Sequence, residues 1–94
     1  MSSTFRGRVT VPEGVLVREL GGESVLLNLR SESYFGLDDV GTRMWAALTA
    51  SPSMEDAYRM LADEYEVEPA LLRADLSTFV EKLSAAGLIH VAED

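Results

Sequence analysis

The chain has 94 residues, 47% hydrophobic and 26% charged, with no cysteine and a formal net charge of −8 from 16 acidic and 8 basic side chains. Such a length supports one domain around a single core, and the missing cysteines exclude both a disulfide frame and a thiolate metal site. An acidic surface repels a phosphate backbone unless its bases gather on one face. Here Arg6, Arg8, Arg18, Arg30, Arg43, Arg59, Arg73 and Lys82 are spread along the whole chain, so nucleic acid is not the expected partner.

The N-terminal "MSSTFRGRVTV" lacks the apolar core of a signal peptide, and no apolar run approaches membrane-spanning length. The expectation is a soluble, cytoplasmic protein of one domain over 1–94, with 1–11 as an extended arm that either joins the sheet or does not, and 90–94 as a flexible tail or a short extra strand.

In chain order, "RVTV" alternates like a strand but is interrupted by Pro12 and Gly14, which suits an arm. "VLVREL" (Val15 to Leu20) is a better strand. The two glycines of "GGES" supply the positive φ angles of a tight hairpin turn, after which "SVLLNLR" pairs back. On that strand Val25, Leu27 and Leu29 share one face, and Leu26, Asn28 and Arg30 the other. A turn at "SES" leads to a third strand, "SYFGL" (Ser33 to Leu37), last in the meander and therefore at a sheet edge.

Three helices follow. Asp38 is a good N-cap for "DDVGTRMWAALTA", where Val40, Met44, Ala47 and Leu48 recur at helical spacing and Trp45 reads as a core residue. Ser53 opens "SMEDAYRMLADEY" with a capping box in which Asp56 replaces the usual Glu. The apolar stripe of that helix is Ala57, Tyr58, Leu61, Ala62 and Tyr65. The third helix begins around Pro69, whose missing N–H costs nothing in the first turn, and ends at "AAGLI", where Gly87 fits a left-handed C′ position. The fold class is therefore α+β: a winged helix-turn-helix-like domain with a three-stranded antiparallel sheet followed by three helices.

Catalysis needs a nucleophile with its base, a pair of tuned carboxylates or a metal. His90 is the single histidine and stands fifth from the end of the sequence, where it reads as a surface side chain. The acidic pairs Asp38/Asp39, Glu55/Asp56, Asp63/Glu64 and Glu93/Asp94 are sequence neighbours explained by capping and solvation. No calcium-loop or H-x-x-x-H spacing occurs, and "GGES" is too short for a phosphate loop. The sequence points away from an enzyme and calls for no cofactor.

A binding surface remains. On the third helix Leu72, Leu76, Phe79, Leu83 and Ala86 form one stripe, with Val80 at its border, and this stripe is first of all a core contact. Leu71 falls beside Asp75, Thr78 and Lys82 on a neighbouring stripe, an arrangement that suits a groove wall and also arises by chance. On the third strand Tyr34 and Phe35 must point to opposite faces, and the expected register turns Phe35 inward with Leu37. An edge strand with unpaired N–H and C=O groups is a hazard unless something covers it, and a partner peptide adding as a further strand would do so.

"VLLNLRSESYFGLDDVGTRMW", together with "DLSTFVEKLSAAGLI", resembles the PqqD-like family of peptide-binding proteins, the recognition elements for ribosomally made, modified peptides. The resemblance runs from about Val15 to Ile89. It rests on the run from strand through turn to aromatic-Gly-Leu-Asp, then Gly41 and Trp45 on the first helix. It is closer to the stand-alone proteins of lasso-peptide biosynthesis than to the pyrroloquinoline-quinone pathway member, because "PEG" at Pro12 to Gly14 lies too early to match that member's Pro-Glu-Gly segment. The resemblance implies capture of a precursor's leader segment as an antiparallel strand on the third strand, packed against the third helix. Ser33, Tyr34, Phe35 and Gly36 would supply the backbone ladder, and Leu71, Leu72, Asp75, Leu76 and Phe79 the groove wall. A lasso-type leader would present a Tyr-x-x-Pro segment, with Asp75 pairing a basic residue or a Tyr hydroxyl. Implied partners are a leader peptidase and a macrolactam-forming cyclase, without membrane or nucleic acid. Rival readings are a pyrroloquinoline-quinone peptide chaperone, a winged-helix DNA-binding protein and a dimerisation domain.

Overall fold

The computed structural model describes residues 7–92. Five strands and three helices follow in order: β1 (Arg8–Thr10), β2 (Val15–Leu20), β3 (Glu23–Asn28), β4 (Ser33–Leu37), α1 (Asp39–Ala50), α2 (Met54–Glu64), α3 (Pro69–Ala85) and β5 (His90–Ala92). The strand expected third is thus β4.

β2, β3 and β4 form the expected antiparallel meander with β3 in the centre. The β2–β3 connection is the two-residue loop Gly21–Gly22, with φ of 63° and 87°, and it sets the register Leu20↔Glu23 through Val15↔Asn28. β4 pairs with β3 from Ser24↔Leu37 to Asn28↔Ser33, so among the described residues the other side of β4 carries no strand.

The helices begin and end on the local signals that the sequence carries. Asp38 Oδ1 accepts from the Gly41 N–H at 2.8 Å, capping α1, and Ser53 Oγ accepts from the Asp56 N–H at 3.1 Å, capping α2. α3 closes with Gly87 at φ 74°, where the Leu88 N–H donates to the Leu83 carbonyl and the Gly87 N–H to that of Ser84. This paired closure leaves Leu88 buried against the helix it ends.

The core lies between one face of the sheet and the helices. Its largest fully buried side chains are Leu26, Leu48, Leu61, Leu76, Leu83 and Leu88, each contributing about 1.5–3 kcal/mol of transfer free energy. Trp45 joins them, as expected. α1 packs on β3, β4, β1 and α2, whereas α3 packs chiefly on α2. Val80 belongs to the core proper, while Phe79 is half-buried and Ala62 of α2 is exposed, so the apolar stripes of both helices are narrower than their periodicity predicts.

Of the alternatives open for the two ends of the chain, the tail takes the short extra strand and the arm pairs with it. Arg8–Thr10 and His90–Ala92 pair antiparallel as a separate two-stranded sheet, with Val9 and Ile89 buried at its base. The arm joins the tail rather than the meander. The remaining residues of both segments, 1–6 and 93–94, lie outside the described part of the chain.

Candidate functional site

β4 leaves its outer edge open, and α3 stands alongside it without closing the gap. The result is a cleft of about 510 Å³ lined by Phe35, Gly36, Leu37, Asp38, Val40, Gly41, Met44, Asp75, Thr78, Phe79 and Lys82. Apart from Asp38, the N-cap of α1, each lining residue comes from β4, α1 or α3. Phe35 and Leu37 point to the same side of β4 by strand alternation, and Phe35 is half-buried at the floor. Asp75, Thr78 and Lys82 lie at i, i+3 and i+7 of α3, which stacks them along one helix face. Val40 and Met44, one turn apart on α1, close the end.

Of the nine residues expected at the site, Phe35, Gly36, Asp75 and Phe79 line this cleft. Leu72 and Leu76 do not. They are 4% and 0% exposed beneath it, because the α3 face that meets the core is offset from the face that meets β4. Leu71 is 55% exposed and outside the lining, so its place beside Asp75 on the helical projection does not make it a wall. Tyr34 is 76% exposed on the opposite face of the sheet, and Ser33 hydrogen-bonds Ser31 through their hydroxyls at 2.6 Å at the start of β4. Sequence reasoning missed Val40, Met44, Thr78 and Lys82 as lining residues. The signal for the last two was present, since both share the Asp75 stripe.

A second cleft, about 690 Å³, meets the first at Gly36, Leu37 and Asp38 and extends over the hairpin end of the sheet. It is larger, but its walls are Arg18, Glu19, Leu20 and Glu23 around a two-glycine turn, and no helix faces it. The smaller cleft combines an unpaired strand edge, an apolar floor and a charged rim between two fixed elements. Those are the features that bind an extended chain.

The site offers backbone donors and acceptors, aromatic surface, two acidic side chains, Asp38 and Asp75, and one basic one, Lys82. His90 is exposed on β5, its carbonyl accepting from the Thr10 hydroxyl at 3.3 Å. Among the described residues no group of three His, Cys, Asp or Glu side chains is placed to hold a metal, and no helix is long and apolar enough to cross a membrane.

An α+β domain with an open strand edge beside a helix-walled groove defines a class of peptide-docking folds. The family model for coenzyme PQQ synthesis protein D (PqqD) matches residues 23–89, so the chain belongs to the PqqD family. It is similar to the solved structure of TbiB1 in complex with the TbiA(beta) leader peptide, at 31% identity and a TM-score of 0.81 over 89% of this chain and 98% of that one. It is also similar to lasso peptide synthetase B1 complexed with the leader peptide, at 26% identity and a TM-score of 0.79 over 88% and 98% of the two chains. No curated protein matches the chain.

Proposed function

We propose that this protein is a non-catalytic, cytoplasmic binding protein that captures the leader segment of a ribosomally made precursor of the lasso type. The leader adds as an antiparallel strand to the open edge of β4 and seats its apolar side chains between Phe35 and Phe79. The captured peptide is then presented to a leader peptidase and a macrolactam-forming cyclase. The observation that carries this reading is the cleft between β4 and α3, in a chain similar along nearly its full length to two proteins solved with leader peptides. Two or three buried apolar anchors at about 1.5–3 kcal/mol each, less the cost of ordering the peptide, are consistent with micromolar to nanomolar binding, about −8 to −12 kcal/mol.

Fluorescence anisotropy of a labelled lasso-type leader carrying Tyr-x-x-Pro tests it. Saturable binding at micromolar concentration or below is expected. It should be lost when both anchors become Ala and weakened by Phe35→Ala and Phe79→Ala. Absence of binding, or equal binding by a DNA duplex, would reject the reading.

One observation favours a second reading, a peptide chaperone of pyrroloquinoline-quinone synthesis, because the matching family model is that of the PQQ synthesis protein. Competition between the lasso-type leader and a quinone-precursor peptide separates the two. Tighter binding of the quinone precursor would select the second.

A further inference from the structure

Leader capture leaves the order of the cleft's charges unassigned: besides Asp38, whose side chain caps α1, the lining carries Asp75 and Lys82. Both are exposed at the rim, seven residues apart on α3, and seven steps of about 100° bring them back to the same helix face about 10.5 Å apart. Lys82 is the only lysine of an acidic chain, and among the described residues it makes no ion pair. Its position in the last turn of α3 also favours the helix dipole, but that role would be served equally with no acidic partner in the cleft.

The fold gives the two charges an order. Asn28 pairs with Ser33, and its side chain donates to the Gly87 carbonyl at 3.2 Å, so the C-terminal end of α3 lies at the start of β4. Lys82 therefore stands nearer the Ser33 end of the groove, and Asp75 nearer the Leu37 end. A peptide running antiparallel to β4 enters at Leu37 and leaves at Ser33. It passes Asp75 first and Lys82 second.

We propose, resting on the leader-capture reading, that the groove selects its peptide by an ordered charge pattern. A basic or hydroxyl-bearing side chain faces Asp75, an apolar side chain two residues on lies over Phe35 and Phe79, and an acidic side chain four residues on meets Lys82. The spacing follows from strand geometry. Side chains facing α3 recur every second residue, about 6.6 Å apart, and the even spacing nearest 10.5 Å is four residues, about 13 Å. The flexible lysine stem takes up the difference. Because the pair is exposed, each ionic contact adds discrimination of about two- to fivefold rather than bulk affinity.

An mRNA-displayed library of random twelve-residue peptides, selected on the full chain and on its Lys82→Glu and Lys82→Gln variants, tests the pattern. Circular dichroism confirms that each variant is folded. Peptides enriched on the wild-type chain should carry the donor, the apolar residue and the acid in that order and spacing. On Lys82→Glu the acid should give way to Lys or Arg, and on Lys82→Gln the preference at that position should vanish. A wild-type winner should weaken about two- to fivefold on Lys82→Glu and recover when its acid is changed to Lys. Winners that keep apolar anchors but show no charge order, or the reverse order, would overturn this inference and leave leader capture standing. Failure to enrich any peptide would overturn both.

Discussion

The Asn28 side chain joins the end of β3 to the end of α3. Its Nδ2 donates to the Gly87 carbonyl at 3.2 Å, while its Oδ1 accepts from the backbone N–H groups of Arg30 at 2.9 Å and Ser31 at 3.3 Å. One buried amide thus closes the β3–β4 turn and holds the far wall of the cleft at a set distance from β4. Removing it strands the Gly87 carbonyl and frees the turn. Asn28→Ala should cost about 1–3 kcal/mol in urea unfolding and weaken peptide binding although no peptide contact is lost. Gly87→Ala should act on the same joint, because its Cβ would stand 3.2 Å from Asn28 Nδ2 at a φ of 74° that L-residues resist by about 1–2 kcal/mol.

Stability and binding should separate along α3. Leu76→Ala leaves a cavity in the core and should cost about 2–5 kcal/mol, with binding unchanged once the protein is kept folded. Phe79→Ala, half-buried in the cleft, should cost less stability, about 1–2 kcal/mol, but reduce leader affinity at least tenfold. Paired unfolding and anisotropy titrations decide this, and equal effects on both quantities would argue against Phe79 as a peptide contact.

Glu32 occupies the left-handed region at φ 59° in the β3–β4 turn, where its N–H donates to the Asn28 carbonyl at 2.8 Å. A side chain with no local hydrogen bond gains nothing there. Asn, which tolerates this conformation, should suit it better. Glu32→Asn should raise the unfolding midpoint, by about 0.5 kcal/mol in free energy, and leave leader binding intact.

Arg73 bridges α3 to α2. Its guanidinium makes two hydrogen bonds to the Glu55 carboxylate, both 3.2 Å, and lies 4.3 Å from the Tyr58 ring centre. A lysine keeps the charge but loses the paired donors and the stacked plane, so Arg73→Lys should cost about 0.5–1 kcal/mol. The Glu55 hydrogen bonds raise the Arg73 pKa above its ordinary value, as those of Glu64 do for Arg43. A cation whose folded pKa is raised contributes stability that is complete below its unfolded pKa and is lost only as pH climbs through the folded one. Both values lie far above neutrality, so these arginines add no slope. The difference between wild type and Arg73→Lys should stay constant between about pH 7 and pH 9 in urea titrations.

What the sequence determined by itself was local. The two-glycine hairpin, the caps at Asp38 and Ser53, the Gly87 closure and the pairing of β2, β3 and β4 follow from neighbours within a few residues, and they came out as read. So did the open edge of β4, since a meander must end somewhere. Tertiary structure decided the rest, because it depends on segments distant in the chain. Thr10 meets His90 across 80 residues to turn an expected arm and tail into a second sheet. The face of β3 that enters the core carries Ser24 and Asn28, while Val25 remains 44% exposed on the other. Pattern alone would favour the reverse, but Thr42 of α1 satisfies Ser24 at 2.9 Å and Gly87 satisfies Asn28. The cleft wall was divided in the same way. Leu72, Leu76 and Phe79 share one apolar stripe in the sequence, and only the angle at which α3 meets α2 and the sheet buries the first two and leaves Phe79 facing β4 beside Asp75 and Lys82.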